Sequence, residues 1–103
     1  MKRTKSMNYK PTPESDDLYL YIRNTSDMYH RYCMPLVENY KKKYEKGVYD
    51  QDKAIDGWYY VADAGAKMYA KEFPEEGNKF SVSDRWTAAS DLEEYFYEEY
   101  IAK

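Results

Sequence analysis

Cysteine is nearly absent from this chain of 103 residues, which also has only four glycines and four prolines. The lone cysteine, Cys33, excludes an internal disulfide framework. A single free thiol is typical of a reducing compartment, and we therefore expect a cytoplasmic protein.

Long apolar runs are also missing. No stretch approaches the roughly 20 residues that a membrane span requires. The polar residues 1–5 lack the apolar segment of a signal peptide. These two absences predict a protein that has no contact with a membrane.

A strong net charge is missing as well, because 16 Lys and Arg oppose 19 Asp and Glu, for a formal charge of −3. This balance is typical neither of a dedicated nucleic-acid binder nor of a disordered acidic tail. The charges are nevertheless segregated along the chain. Four basic residues and no acid precede Thr12, namely Lys2, Arg3, Lys5 and Lys10. We predict a flexible basic arm over residues 1–11 and a single helical domain over residues 12–103.

Aliphatic side chains are scarce, and tyrosine takes their place. Leu, Ile, Val and Phe together number 14, whereas the chain has 14 Tyr and 2 Trp. A content below roughly 20 % of those four residues raises the question of disorder. Tyrosine and tryptophan rings bury large apolar areas, and we therefore expect a folded domain lined with tyrosine.

The apolar pattern has the period of a helix. Met28, Tyr32, Leu36, Tyr40 and Tyr44 follow one another at four-residue spacing, whereas strand signals are poor throughout. The pattern predicts an all-α fold, a compact bundle of three to four helices with a flexible basic N-terminal arm.

Capping residues predict where the helices begin and end. Thr12 with Pro13 indicates the first helix start, and residues 24–27 favour a break before the second helix. Pro35 is expected to kink that second helix without ending it. The remaining expected boundaries are a C-terminal cap at Gly47, a start at Asp50, a stop at Pro74 and a last start at Ser81 or Ser83.

Residue types with catalytic or metal-binding chemistry do not combine into a site. His30 and Cys33 are at helical spacing, but a structural zinc ion needs four ligands. Cys33 also lies on the apolar stripe, where a thiol is inert. Adjacent carboxylates could act as an acid–base pair only in a pocket that separates their pKa values. The pairs in this chain fall in predicted helix starts, loops or solvated faces, namely 16–17, 75–76, 93–94 and 98–99. We therefore predict no enzyme activity, no catalytic residue, no metal and no cofactor.

Tyrosines outside the apolar stripes are candidates for a protein interface. Tyrosine offers a large contact area with few rotatable bonds. Tyr19, Tyr59 and Tyr97 fall off the stripes, and we expect them to be exposed. The alternative is a core that uses Tyr where other chains use Leu, with the hydroxyl groups reaching water. Exposed tyrosines would also favour self-association.

An acidic ladder occupies the last predicted helix. Asp91, Glu94 and Glu98 are spaced i, i+3 and i+7, with roughly 5–6 Å between neighbouring Cβ atoms. Phosphates along a nucleic-acid strand have a comparable spacing, so the ladder is a candidate nucleic-acid mimic. The alternative is a solvated face.

A basic cluster provides a second candidate surface. Lys41, Lys42, Lys43 and Lys46 lie at the expected end of the second helix. With the arm and with stacking from Tyr40 or Tyr44, they suit contacts with phosphates. The simpler interpretation is that they complement the negative end of the helix.

Four segments carry a family resemblance: LYLYIRN (18–24), DMY (27–29), GVYD (47–50) and GAKMYAKEF (65–73). Across roughly residues 12–100 the chain resembles small proteins encoded by phages and other mobile elements, for which no active site is established. The resemblance implies a setting, because such accessory proteins often bind and modulate host machinery, including restriction and CRISPR nucleases.

The function expected from these observations is non-enzymatic protein binding. The leading hypothesis is an accessory protein of a phage or mobile element that inhibits a host defence nuclease through tyrosine-rich and acidic surfaces. The alternative is a nucleic-acid-binding accessory protein that uses the basic arm and the lysine cluster. A host or phage protein is the expected partner, and a second copy of this chain is another.

Overall fold

The computed structural model describes residues 10–103, and every regular element in that part of the chain is helical. Helix α1 is Pro13–Asn24 and helix α3 is Gln51–Glu72. Helix α2 (26–45) joins Ser26–Met28, a π turn at Tyr29–Cys33 and Met34–Glu45 without a break. Helix α4 (82–101) joins Val82–Phe96 to a π turn at Tyr97–Ile101, and a short 3₁₀ turn, Pro74–Glu76, precedes it. The all-α prediction is confirmed. Most of the expected arm, residues 1–9, lies outside the described residues.

Two capping boxes start the helices at either end of the described chain. The Thr12 hydroxyl accepts a hydrogen bond from the Ser15 amide at 3.0 Å, and the Ser15 hydroxyl accepts one from the Thr12 amide at 2.8 Å. Ser81 and Asp84 make the same reciprocal pair at the start of α4, with both bonds at 3.0 Å. Each box satisfies amides that the first helical turn leaves free. The expected start at Thr12 is confirmed, and the last helix begins after Ser81.

Helix α2 begins after a break and continues through a proline. Thr25 is extended between α1 and α2, as predicted for residues 24–27. Pro35 removes one amide donor, and its ring would clash with the carbonyl of Arg31 in a regular helix. Arg31 lies in the π turn Tyr29–Cys33, where the wider winding changes that geometry. At the other end Gly47 adopts a φ of +74°, as expected for a C-terminal cap.

The helices α1 and α4 run side by side in the same direction. At their N-terminal ends, Thr12 Oγ1 donates a hydrogen bond to Asp84 Oδ1 at 3.0 Å. About two turns further along α1 and three turns further along α4, the rings of Tyr19 and Tyr95 meet with their centroids 6.4 Å apart. The contacts follow the same order along both helices, as in a parallel pair.

Helix α3 fills the centre of the bundle and runs opposite to α4. The Trp58 ring on α3 stacks on the Phe96 ring at 4.8 Å with an interplanar angle of 5°, and both side chains are fully buried. Helix α2 crosses the C-terminal end of α4: Tyr29 and Tyr100 hydroxyls lie 2.6 Å apart, while Tyr44 meets Tyr97 at 5.7 Å. Within residues 10–103, no helix combines the length and apolar character needed to cross a membrane.

Most of the 13 described tyrosines are at least half-buried, so the expectation that Tyr19, Tyr59 and Tyr97 are exposed is wrong. Only Tyr44 and Tyr60 among them count as exposed, at 37 % and 70 %. Half-buried rings keep their hydroxyl groups at the surface, as in the 2.7 Å bond from Tyr21 to Glu72. Tyrosine therefore serves mainly as a core residue with a polar tip.

Tyr97 is 8 % exposed, and its expected place at the surface is wrong. Its ring packs 5.7 Å from Tyr44 and 5.2 Å from Tyr49. The cause is the crossing helix α2, which covers a face of α4 that the apolar stripe of α4 does not reveal.

Candidate protein-interaction surface

A groove opens between α1 and α4 where the two helices run in parallel. It encloses about 240 Å³. Its lining residues are Tyr19 from α1 and Asp91, Glu94, Tyr95 and Glu98 from α4. We call this surface the acidic groove. It brings together four of the six interface residues that the sequence predicted.

Helical spacing places the groove residues of α4 on one face. Asp91, Glu94 and Glu98 follow the i, i+3, i+7 pattern, and Tyr95 lies one turn after Asp91. Tyr95 was missed by the sequence analysis, although its i+4 relation to Asp91 indicates the shared face. Tyr19 joins them because α1 lies parallel to α4, a relation that local patterns do not contain.

The two aromatic rings of the groove are held in place by an arginine. The rings of Tyr19 and Tyr95 meet edge to face, with an interplanar angle of 77°. Arg23 Cζ lies 3.7 Å from the Tyr95 ring centroid and 5.1 Å from that of Tyr19. Arg23 Nη1 also donates a hydrogen bond to the Tyr19 hydroxyl at 3.2 Å. These contacts orient the ring pair before any partner arrives.

The groove concentrates negative charge. Burial of the half-buried Asp91, together with the neighbouring charges of Asp16 and Glu94, raises its pKa to about 6. Among the described residues, no Lys or Arg forms an ion pair with Asp91, Glu94 or Glu98. The carboxylates therefore repel one another, and a cationic group from outside would relieve that repulsion.

The other two tyrosine candidates lie elsewhere. Tyr59 is half-buried on α3, where its ring stacks on Trp86 with centroids 4.1 Å apart. Tyr97 belongs to the core, as described above. Neither lines the acidic groove.

The basic cluster is a separate surface at the C-terminal end of α2. Lys41, Lys42, Lys43 and Lys46 are all exposed. The Tyr40 ring beside them is buried, with Lys43 Nζ 6.0 Å from its centroid. Of the two tyrosines that were expected to support stacking, only Tyr44 is exposed.

A second groove, of about 330 Å³, lies between α2 and α3. Its lining includes Tyr32, Tyr60, Asp63, Lys67 and Lys71. Burial raises the pKa of Asp63, but hydrogen bonds from Lys67 and Arg85 outweigh burial and lower it. Because its one carboxylate is already paired with Lys67 and Arg85, this groove offers no unpaired negative charge to a basic partner. The sequence analysis missed Tyr60, although its i+7 relation to Lys67 indicates a common face.

The two residues considered for catalysis, Cys33 and His30, lie in different surroundings. Cys33 is fully buried, and burial raises the pKa of its thiol to about 12. His30 is exposed, and its ring packs edge-on against Tyr29 with centroids 5.2 Å apart. In the part of the chain that the structure describes, no three His, Cys, Asp or Glu side chains are grouped so that they could hold a metal ion.

No protein-family model, curated protein or solved structure matches this chain.

Proposed function

We propose that this chain is a non-enzymatic accessory protein that binds a basic surface of another protein through the acidic groove. One observation carries the proposal. Three carboxylates without a described cationic partner share an open groove with two aromatic rings. Aromatic rings supply contact area, and unpaired carboxylates supply attraction and selectivity for a basic partner.

The proposed partner is a host defence nuclease of the CRISPR or restriction type, in the phage or mobile-element setting that the family resemblance implies. Such nucleases bind nucleic acid in basic channels that attract phosphates. The ladder of Asp91, Glu94 and Glu98 spaces its charges by roughly 5–6 Å at the Cβ atoms, comparable to phosphates along a strand. The groove would then compete with nucleic acid for the channel.

The test compares two triple variants that remove the same number of charges. The groove variant is Asp91→Asn, Glu94→Gln, Glu98→Gln. The control variant is Glu38→Gln, Asp52→Asn, Glu75→Gln, which changes exposed carboxylates outside the acidic groove. Each purified protein is added to DNA cleavage assays with a panel of bacterial restriction and CRISPR nucleases.

We expect the parent and the control variant to inhibit at least one nuclease. The groove variant should be weaker by about tenfold or more, since it loses desolvated charge pairs. Circular dichroism checks that all three proteins are folded. Equal inhibition by the parent and the groove variant would contradict the proposed role of the groove.

Nucleic-acid binding by the basic cluster is the alternative function. Its supporting observation is that Lys41, Lys42, Lys43 and Lys46 are exposed together, and no described carboxylate pairs with any of them. This alternative predicts binding to oligonucleotides that weakens steeply as salt increases. A gel shift with the parent and with a variant that replaces all four lysines by Gln tests it. No shift at low salt would exclude this alternative.

Self-association stays a prediction. The Tyr60 ring on α3 is 70 % exposed and is the best placed aromatic group to support it. Light scattering over a range of protein concentrations, with Tyr60→Ala for comparison, measures whether a dimer forms.

A further inference from the structure

The ring pair of the acidic groove already binds one guanidinium group, that of Arg23. This group lies over Tyr95 and donates a hydrogen bond to the Tyr19 hydroxyl. No described carboxylate forms an ion pair with it. Tyr19 and Tyr95 therefore accept a planar cation through their ring faces and hydroxyl groups alone.

The carboxylates on the groove face of α4, by contrast, have no described cationic partner. Asp91 and Glu94 line the groove beside Tyr95, and both lack a described cation. An arginine side chain can stack on an aromatic ring while donating two parallel hydrogen bonds to a carboxylate. A lysine ammonium is a compact, strongly hydrated charge that makes no planar stack.

We propose that the acidic groove selects an arginine side chain of the partner, which packs against the part of the Tyr95 ring that lines the groove and pairs with Asp91 and Glu94. Arg23 is not part of the groove lining and keeps its own place over the ring. This inference rests on the proposed function and adds a preference for arginine over lysine. The groove is open to solvent, and a side chain projecting from a partner surface can therefore enter it.

Nuclear magnetic resonance (NMR) titration of the full ¹⁵N-labelled chain tests this preference. The probes are three blocked peptides of equal length in which glycine alternates with arginine, lysine or the uncharged arginine analogue citrulline. We expect the arginine peptide to shift the amide signals of the groove residues and to bind at least about threefold more tightly than the lysine peptide. The citrulline peptide should not bind.

A matched pair of variants separates stacking from charge. Tyr95→Leu should reduce the arginine-to-lysine affinity ratio toward one while leaving charge-driven binding. Tyr60→Leu, at an exposed ring on another helix, should keep the parent ratio. If Tyr95→Leu leaves the arginine-to-lysine affinity ratio unchanged, the proposed packing of arginine against Tyr95 is overturned.

The remaining outcomes distinguish this inference from the proposed function. Equal binding of the arginine and lysine peptides at the groove overturns the arginine preference and leaves the proposed function standing. If no peptide shifts the groove signals, both fail. A variant with Lys2, Arg3, Lys5 and Lys10 replaced by Gln is recorded without peptide. Displaced groove signals in that spectrum would identify the chain's own basic segment as the occupant and would overturn the inference.

Discussion

The Tyr49 hydroxyl donates a 2.5 Å hydrogen bond to the Glu93 carboxylate inside the protein core. Tyr49 lies in the connection between α2 and α3, and Glu93 lies on α4 with 1 % exposure. A carboxylate that is removed from water needs hydrogen-bond donors to offset the loss of hydration. This bond therefore fastens the α2–α3 connection to the last helix.

Tyr49→Phe should destabilise the protein, because it removes one donor to a buried carboxylate. The expected loss is about 1–3 kcal/mol in the free energy of unfolding, measured by urea denaturation at pH 7. Tyr60→Phe removes a hydroxyl from an exposed ring and should stay within about 0.5 kcal/mol of the parent. Equal stabilities of the two variants would show that the bond contributes little.

Gly65→Ala should also destabilise the protein, although alanine is the better helix former by about 1 kcal/mol. A Cβ atom at Gly65 would lie 2.6 Å from Ile22 Cγ1 and 2.7 Å from Ile22 Cδ1. Ile22 lies on α1 and is fully buried. Overpacking of this kind costs about 1–3 kcal/mol.

The Ile22→Ala background tests the cause of that loss. Alanine lacks both the Cγ1 and the Cδ1 atom that the added methyl group would meet, so adding Gly65→Ala to Ile22→Ala should cost less than adding it to the parent. Urea denaturation of the parent, both single variants and the double variant measures the coupling. The explanation fails if the Gly65→Ala cost is the same in both backgrounds.

The helix boundaries were predictable because they depend on neighbouring residues. Thr12 with Pro13 and the serine at position 81 provide hydroxyl groups at helix starts, and Gly47 provides a positive φ at a helix end. Each of these signals acts within a few residues. The location of Asp91, Glu94 and Glu98 on one face of α4 was predictable for the same reason.

The faces covered by other helices were not predictable from local patterns. Tyr97 is buried because α2 crosses the end of α4, and Tyr19 meets Tyr95 because α1 is parallel to α4. Both relations depend on how distant segments pack. The apolar period shows which side of a helix faces the main core, but not whether another helix covers a second side.

Cys33 should react with thiol reagents only when the protein opens. Its side chain is fully buried, and burial raises the pKa of the thiol to about 12, so the reactive thiolate is suppressed at pH 8. We expect a disulfide reagent to label native protein at least about 100-fold more slowly than protein in denaturing urea. Rapid labelling of protein that circular dichroism shows to be folded would contradict the burial of Cys33.

Asp91→Asn should stabilise the protein at neutral pH. Burial, then Asp16 on α1 and Glu94 on α4, raise the pKa of Asp91 from 3.8 to about 6. A carboxyl group with a raised pKa binds its proton more tightly in the folded state. The parent therefore loses stability as the pH rises from about 4 to about 6. Asparagine resembles the protonated carboxyl group and avoids this loss, which is about 1 kcal/mol after allowance for solvent screening.

The pH dependence distinguishes this explanation from a general effect of removing one negative charge. Urea denaturation from pH 4 to pH 8 should show Asp91→Asn and the parent equal near pH 4, with the variant more stable above pH 6. Glu38→Gln, at an exposed carboxylate in the interior of α2, should follow the parent at every pH. A basic partner in the groove would favour ionised Asp91, so adding it should narrow the difference at pH 7 by stabilising the parent more than the variant. A difference between Asp91→Asn and the parent that persists unchanged at pH 4 would contradict the assignment to the charge of Asp91.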